Sequence, residues 1–396
     1  MRKRAQLKEY SPVTTRIRLA GTAAALLPLA VLAAACSSAG SNSPASSPAA
    51  AAMQGAALPS SPAKTPQSIT ETGSTLLFPL ISTWAQDYQK LYTQSSGLPT
   101  VTITTGATGS GTGLADAATG TVDIGASDAY LSPTTKSQTP SLVNIALAIS
   151  AQQVNYNIPG FKGNLKLDGT VLAQIYTGKV TNWNDPAIKA LNPGVTLPNL
   201  KIVTLHRADS SGDTFIFTSY LNAQDPSAWP VSNVSTSATF AAVPGALGEQ
   251  GNGGMVAGCQ ATKGCIAYIG VSYLAKTQAA GLGQASLKNA AGNFEQPTPA
   301  AISAAAAALT SKTPPDETLS MINGPAPDGY PIVNYEYAIV NTKQANATVA
   351  EDIRAFLHWD VHSGQNATTY LDAVDFQPLP SAVVSLSDAQ IAKIGA

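Results

Sequence analysis

The feature that most constrains the fold is an alternation of short apolar runs, rich in Val and Ile, with longer helical patterns. It continues from about Ile69 to the C-terminus. Six runs predict strands: VTITT (101–105), VDIGA (122–126), NIALAIS (144–150), KIVTL (201–205), CIAYIGV (265–271) and NYEYAIV (334–340). Three segments predict helices: TLLFPLISTWAQDYQKLY (75–92), AISAAAAAL (301–309) and AEDIRAFLHWDV (350–361). Strands that alternate with helices predict an α/β protein with mainly parallel sheets.

The N-terminal segment has the composition of a targeting sequence. Basic residues are concentrated before Leu19, no charge occurs from Leu19 to Ala35, and Cys36 follows. This pattern predicts a secretory signal peptide over 1–35, because the apolar stretch is too short and too rich in alanine for a spanning helix. The end of the stretch, LAAAC, looks like a bacterial lipobox and predicts lipidation of Cys36. Its leucine lies four positions before the cysteine instead of three, so a plain cleaved signal is the alternative.

A stretch of low complexity follows the predicted signal peptide. Residues 37–68 are almost all Ser, Ala, Pro, Gly and Asn. Such a composition cannot bury a core. We therefore expect 36–68 to be a lipidated cysteine followed by a disordered tether.

Charge and cysteine usage exclude several classes. The 396 residues include 22 basic and 23 acidic ones, and this near balance argues against a nucleic-acid binder. Cys259 and Cys265 form a close pair, which in an exported protein predicts a disulfide. A metal site at this pair would need two more ligands, and no His or further Cys is close in sequence.

Three loops share a pattern of glycine and small hydroxyl residues that is typical of the start of a helix. They are ETGSTLL (71–77), TTGATGSGTGLADAA (104–118) and HRADSSGDTF (206–215). Free N–H groups in the first turn of a helix attract anions, and glycine allows a close backbone approach. Each loop alone is weak evidence for a binding site, because Ser or Thr at a helix start is usually an N-cap. None fits a nucleotide-binding fingerprint. Together the three loops favour one oxyanion site.

Two kinds of charged residue refine this expectation. Asp128 follows the predicted strand 122–126, and an ionised carboxylate accepts hydrogen bonds but does not donate them. Near an anion it is tolerated only if the anion carries a proton, as phosphate does at neutral pH and sulfate does not. Arg207 supplies one charged donor, which Asp209 orients. The alternatives are a turn cap at Asp128 and a surface ion pair at Arg207.

These segments resemble the substrate-binding proteins of bacterial phosphate ABC transporters, in particular the phosphate-binding lipoproteins of mycobacteria and their relatives. The likeness runs from about Ser68 to the C-terminus and includes ETGSTLLFPLISTW, TGSGTG, VDIGASDAYLS, YTGKVTNWNDPAI, LHRADSSGDTFIFTSYL and NGPAPDGYPIVNYEYAIVN. It implies a type II periplasmic-binding-protein fold. Two α/β lobes would each contain a mostly parallel sheet flanked by helices, with the ligand in the cleft between them.

The resemblance also implies the ligand contacts and the lobe boundaries. The lobes are expected at 69–150 plus 331–396 and at 151–330. The motif R-x-D-x-S-G-[TD] ends here in Asp213. Its backbone N–H is expected to donate to the ligand, and the orientation of its carboxylate stays open. Asp209 is implied to hold Arg207 in place. The implied phosphate-binding residues are Ser74, Thr75, Leu76 (through its backbone N–H), Ser110, Asp128, Arg207, Ser211, Gly212 and Asp213.

The expected function is phosphate binding outside the cytoplasm, at the outer face of the cell membrane, and delivery to an ABC permease. We expect a monomer that binds no nucleic acid and has no catalytic residue, cofactor or metal. The alternatives are a binding protein for sulfate or molybdate, an exported hydrolase that uses Ser211 with His206, and an adhesin or signalling lipoprotein.

Overall fold

The computed structural model describes residues 58–59, 61–94 and 100–396. The predicted signal peptide (1–35), the lipidation site Cys36 and most of the predicted tether lie outside these residues. Within the described part of the chain, no helix is both long enough and apolar enough to cross a membrane.

The described residues form an α/β structure in which strands and helices alternate for most of the chain. The strands are β1 (Ser68–Gly73), β2 (Thr102–Thr104), β3 (Ile124–Ser127), β4 (Leu142–Tyr156), β5 (Lys166–Leu167), β6 (Val203–Arg207), β7 (Leu247–Glu249), β8 (Cys265–Gly270), β9 (Gly283–Gln284), β10 (Ser286–Lys288), β11 (Phe294–Glu295) and β12 (Val333–Asn341). The helices are α1 (Phe78–Gln94), α2 (Ser110–Thr119), α3 (Pro133–Gln138), α4 (Gly169–Tyr176), α5 (Pro186–Leu191), α6 (Gly212–Gln224), α7 (Gly251–Ala261), α8 (Leu274–Ala279), α9 (Pro299–Ala307), α10 (Ala347–His362) and α11 (Ser381–Ile391). All six predicted strands and all three predicted helices are confirmed, with ends that differ by a few residues.

Two long strands join the two lobes. The main sheet has the order β2-β1-β3-β12-β4-β8-β6-β7. The first part of β4 pairs with β12, and its last five residues, 152–156, pair with β8. Strand β4 therefore belongs to both halves of the sheet. We call the half with β1, β2 and β3 the first lobe and the half with β6, β7 and β8 the second lobe.

The strand directions are parallel at the two ends of the sheet and antiparallel in its middle. Strands β1, β2 and β3 pair in parallel, as do β6, β7 and β8. Strand β12 is antiparallel to both β3 and β4, and β4 is antiparallel to β8. The sequence predicted mainly parallel sheets, which holds within each lobe. The crossing strands β4 and β12 add the antiparallel pairs in the middle of the sheet, where β4 continues directly from one lobe into the other.

The parallel ends of the sheet determine where the loops gather. Strands β1 and β3 both end at the same sheet edge, and the loop before α2 lies beside them, since Gly73 N–H donates to the carbonyl of Gly106. Strand β6 ends at the corresponding edge of the second lobe and leads into α6. The carboxyl ends of parallel strands are where ligand sites of open α/β sheets lie.

Apolar burial holds the helices against the sheet. In α1 the side chains of Leu80, Trp84 and Tyr88 are buried, which confirms the predicted apolar face. Trp84 also donates its ring N–H to the carbonyl of Gly364, 3.1 Å away. Trp183 is fully buried and donates its ring N–H to the carbonyl of Gly264.

Two residues before the predicted boundary at Ile69 already contact the folded part of the chain. The backbone N–H groups of Ala63 and Gln67 donate to the two carboxylate oxygens of Asp352 in α10, at 2.9 and 2.7 Å. Ala63 is buried. These contacts attach the end of the predicted tether to the first lobe.

A disulfide joins Cys259 in α7 to Cys265 at the start of β8, with a Cα–Cα distance of 5.3 Å. The predicted pairing is therefore confirmed. The bond closes the short turn between a helix and a central strand of the second lobe.

Strand β1 carries a buried acid that makes stability depend on pH. Glu71 is 3 % exposed, and its Oε1 has no hydrogen-bond partner among the described residues. Burial raises the pKa of Glu71 from 4.5 to about 8, and the N–H of Gly106, 3.4 Å from Oε2, lowers it only in part. The folded state therefore keeps this proton over a range in which the unfolded chain releases it.

The substitution Glu71→Gln tests this effect. Because the pKa of Glu71 is raised in the folded state, its contribution to the free energy of unfolding is intact below about pH 4.5. That contribution is lost as the pH rises to about 8. Glu71→Gln should raise the free energy of unfolding by up to about 5 kcal/mol at the alkaline end and change it little at the acid end. Urea unfolding at several pH values measures the difference, and a gain that does not vary with pH would contradict the assignment.

Candidate functional site

Asp128 lies at the centre of the candidate site, directly after β3. It is 2 % exposed. The hydroxyl of Ser74, which follows β1, donates to its Oδ1. Ser110, the first residue of α2, accepts the backbone N–H of Asp128 at 3.3 Å. The first two of the three predicted loops therefore meet at this carboxylate.

Gly212 brings the third loop to the same point from the second lobe. A Cβ atom on Gly212 would lie 2.5 Å from Oδ2 of Asp128 and 2.6 Å from Oγ of Ser110. Only glycine permits this approach, because real Cβ atoms keep larger separations from such atoms. The start of α6 therefore closes against the two loops of the first lobe.

Arg207, at the end of β6, is buried and paired with two acids of the same loop. Its Nε donates to Oδ1 of Asp209 at 2.7 Å, and its Nη2 donates to Oδ2 of the same residue. Its Nη1 donates to Oδ2 of Asp213 at 2.6 Å. Burial opposes its charge, but the hydrogen bond and charge of Asp209 and the charge of Asp213 raise the pKa of Arg207 above its ordinary value. Since a guanidinium has five N–H groups, two remain for another acceptor.

The carboxylate of Asp213, whose orientation the sequence left open, points at donors within the protein. Besides Arg207, it accepts from Nδ2 of Asn252 at 2.7 Å and from Nε2 of Gln152 at 3.0 Å. Burial and the nearby charge of Asp128 raise the pKa of Asp213 to about 7, and Arg207 counteracts them in part. Its side chain therefore serves to hold the arginine.

The first loop is fixed partly by its own hydrogen bonds. Oγ of Ser74 accepts the N–H groups of Leu76 and Leu77 at 3.1 and 2.9 Å. The Leu76 N–H, implied as a ligand donor by the resemblance, is therefore directed at Ser74. Oγ1 of Thr75 accepts from Nδ2 of Asn252 at 2.9 Å, which links the two lobes. In the third loop, Oγ of Ser211 caps α6 by accepting the N–H of Thr214 at 3.4 Å.

Four backbone N–H groups at these loops have no acceptor among the described residues. They belong to Thr75, Ser110, Gly212 and Asp213. The last three lie in the first turns of α2 and α6, where N–H groups carry partial positive charge. Two helix starts therefore offer donors beside a buried carboxylate.

Glu336, on the crossing strand β12, is a functional residue that the sequence reasoning missed. It is completely buried, and its Oε1 accepts from Ser150 Oγ and from Asn334 Nδ2, the latter at 3.0 Å. Burial and the charge of Asp128 raise the pKa of Glu336 well above its ordinary value. The raised pKa favours the protonated form of Glu336, which can donate a hydrogen bond to Asp128.

Several neighbouring groups stabilise the ionised form of Asp128. Burial raises the pKa of Asp128, whereas the hydrogen bonds from Glu336 and Ser74 and the charge of Arg207 lower it again in part. The hydrogen bond from Glu336 and the charge of Arg207 favour the ionised form of Asp128, and the charge of Asp128 disfavours a second ionised group at Glu336, so we place the proton of this pair on Glu336. Asp128 is then a carboxylate that accepts hydrogen bonds.

Three polar residues of the site were not among the site residues expected from the sequence. Gln152 and Glu336 lie within apolar runs of the crossing strands, and Asn252 follows the first residue of α7. The Glu inside the predicted strand 334–340 was the available signal, because such residues are rarely buried without a partner. Their partners come from distant parts of the chain, which sequence spacing does not reveal.

Two lobes joined by crossing strands, with a buried cluster of donors and one acceptor between them, define a two-lobed ligand-binding protein. A family model described as PBP superfamily domain matches residues 59–362. The phosphate-binding protein PstS of Haemophilus influenzae is 32% identical over 324 residues, covering 82% of this chain and 92% of that protein. The chain belongs to the PBP superfamily and, within it, to the family of PstS phosphate-binding proteins.

Two further relatives agree with this assignment. Phosphate-binding protein PstS 2 of Mycobacterium tuberculosis is 32% identical over 310 residues, covering 74% of this chain and 80% of that protein. The solved structure of a high-affinity periplasmic phosphate-binding protein bound with phosphate superposes with a TM-score of 0.61. The two chains share 24% sequence identity, and the alignment covers 82% of this chain and 93% of the solved one, so the likeness supports the fold.

The variant Gly212→Ala tests the close approach of the lobes. The new methyl group would overlap Asp128 and Ser110, so we expect it to disfavour the closed arrangement by about 1–3 kcal/mol. Small-angle X-ray scattering should then give a larger radius of gyration than for the unmodified chain. The matched control is Gly253→Ala, because a Cβ there meets nothing within 4 Å. Equal scattering from both variants would contradict the proposed packing.

Substitutions of Glu336 test its role as a proton donor. Glu336→Gln keeps one donor and one acceptor and should change stability by less than about 1 kcal/mol. Glu336→Leu leaves Asp128, Ser150 and Asn334 without this partner and should cost about 3 kcal/mol or more. Urea unfolding near neutral pH measures both. The assignment fails if the glutamine variant is as unstable as the leucine variant.

Proposed function

We propose that this chain binds inorganic phosphate between its lobes and delivers it to the permease subunits of an ABC transporter for import. The observation that carries the proposal is the buried carboxylate of Asp128, surrounded by hydroxyl and backbone donors from both lobes. The names of the relatives, phosphate-binding protein PstS, support the same ligand.

The carboxylate supplies the selectivity. Asp128 accepts a hydrogen bond but repels an oxyanion that has no proton. Phosphate near neutral pH carries a proton that it donates to Asp128, and sulfate carries none. The remaining phosphate oxygens accept hydrogen bonds from the N–H groups at the starts of α2 and α6 and from the free N–H groups of Arg207.

Affinity then comes mainly from neutral donors. Arg207 is paired with Asp209 and Asp213, so the site has no surplus positive charge from this loop. A hydrogen bond to a charged group contributes about 1.5–3 kcal/mol. About five such bonds reach or exceed the roughly −8 kcal/mol of micromolar binding, before the loss of motional freedom is subtracted.

Ligand binding is coupled to closure of the lobes. Gly111 N–H donates to the carbonyl of Ser210 at 2.9 Å, and Ser272 Oγ donates to the carbonyl of Leu76 at 2.7 Å. These contacts connect elements of the two lobes. We propose lobe boundaries at 69–150 plus 331–396 and at 151–330, with hinge motion at the crossing strands. The ligand is not chemically changed.

We further propose that the chain acts outside the cytoplasm as a monomer. Residues 1–35 would direct export, Cys36 would carry the lipid, and the tether would hold the folded part near the outer face of the membrane. Acyl chains at a single cysteine anchor a protein without spanning the bilayer.

The alternatives receive less support. A sulfate or molybdate binder would place a fully ionised ligand beside Asp128. For the serine hydrolase, Ser211 would need His206 as its base. The ring of His206 stacks on Phe240, with centroids 4.9 Å apart, and Ser211 Oγ caps α6. No observation favours an adhesin.

Asp128→Asn tests the selectivity. The amide can donate to an oxyanion, but it has lost the charge that accepts the phosphate proton. Phosphate affinity should fall about 10- to 100-fold, which corresponds to losing one charged hydrogen bond, and the preference over sulfate should narrow. Isothermal titration calorimetry with phosphate and with sulfate measures both affinities.

A matched control is Asp185→Asn. Asp185 caps α5 by accepting the N–H of Ala187, and Asn is an equally good cap. This variant should bind phosphate as the unmodified chain does. If the unmodified chain binds both anions equally, or if Asp128→Asn keeps the original ratio, Asp128 does not select the ligand.

A further inference from the structure

Two of the three histidines of the chain lie together on the first lobe, away from the residues of the interlobe site. His358 and His362 are one helical turn apart in α10 and therefore project from the same face. Asp388 in α11 lies between their rings. Its Oδ1 is 3.0 Å from Nδ1 of His358, and its Oδ2 is 3.0 Å from Nε2 of His362.

We propose that His358, His362 and Asp388 form a binding site for Zn²⁺ or a similar first-row transition-metal ion. The sequence predicted no metal site, because the three residues are separated along the chain and only the packing of α11 on α10 joins them. One ligand atom from each residue can be chosen so that all lie within 4.8 Å of one another.

The spacing of the ligand atoms fits a metal ion of this class. A tetrahedral zinc ion has bonds of about 2.0–2.1 Å, which separate neighbouring ligand atoms by about 3.3 Å. Oδ1 of Asp388 lies 3.0 Å from Nδ1 of His358 and 3.2 Å from Nε2 of His362, so both of these separations need only a small expansion. Imidazole and carboxylate are ligands that Zn²⁺ accepts, and imidazole also suits Cu²⁺ and Ni²⁺.

The surroundings favour a cation at this position. His362 is the last residue of α10, and Asp388 lies in the last turn of α11. The C-terminal ends of helices carry partial negative charge. Of the neighbouring cations, Arg354 donates to the carbonyl of Ile394 and Lys393 to Oε1 of Gln390, so both are directed at other acceptors.

Exposure leaves a path for the ion and room for a water ligand. The side chains of His358, Asp388 and His362 are 18%, 29% and 43% exposed. Three protein ligands with one open position form the usual arrangement of an accessible zinc site. The bound ion would connect α10 to α11 and thereby fix the C-terminal helix to the first lobe.

Calorimetric titration of the purified chain with Zn²⁺ tests the proposal, in a buffer without phosphate, which itself binds zinc. We expect saturable binding of one ion per chain and a higher melting temperature in its presence, since an ion that binds only the folded state stabilises it. Titration with Co²⁺ should give the visible absorption of a tetrahedral site.

Three variants locate the binding. Each variant should weaken Zn²⁺ binding at least about tenfold, because even the loss of a residue that only hydrogen-bonds to a metal ligand has an effect of this size. The variants are His358→Ala, His362→Ala and Asp388→Asn. The control His206→Ala removes the third histidine and should leave the Zn²⁺ affinity unchanged. Circular dichroism verifies that each variant is folded. The proposal is overturned if the unmodified chain shows no saturable binding, or if His206→Ala alone weakens it.

Discussion

The structure of the interlobe site depends on keeping one carboxylate, Asp128, ionised in the protein interior. Burial of a charge without partners is strongly unfavourable. Here Ser74 and Glu336 donate to the carboxylate and Arg207 lies near enough to stabilise its charge. These partners come from β1, β12 and β6, so the acceptor exists only when both lobes and the crossing strands are in place.

The single arginine of the site has a complementary role. Asp209 and Asp213 neutralise its charge and fix its orientation, and Asn252 and Gln152 in turn hold Asp213. A site arranged in this way recognises an oxyanion by the direction of its hydrogen bonds more than by net charge. Reversible closure is easier for such a site, because opening the lobes does not separate a strongly charged ligand from surplus positive charge. The same arrangement makes the pattern of protons on the ligand the main criterion for binding.

Much of the fold could be predicted from the sequence because its local patterns are strong. The runs of Val and Ile identified six strands, and the loops with glycine and serine indicated one oxyanion site. The family resemblance implied Ser74, Ser110 and Gly212, which the structure brings together around Asp128. Very short strands such as β5 and β9 were not predicted, since two residues carry no periodicity. The continuous sheet was not predicted either, because β4 changes its partner from β12 to β8 within one apolar run.

The parts of the site that sequence reasoning missed are those defined by distant contacts. Glu336 is 208 positions from Asp128 along the chain and carries no local motif. Asn252 joins Thr75 to Asp213 from α7, a helix that the sequence analysis did not predict. The side chain of Asp213 was ambiguous for the same reason, since its orientation is decided by Gln152 and Asn252.

The most direct test of this account is a high-resolution crystal structure of the phosphate complex. The account predicts one carboxylate oxygen of Asp128 about 2.5–2.7 Å from a phosphate oxygen, the length of a strong O–H···O⁻ hydrogen bond. It also predicts that Glu336 remains in contact with the other side of the same carboxylate. A complex in which Asp128 lies beyond hydrogen-bond distance of the phosphate would contradict it.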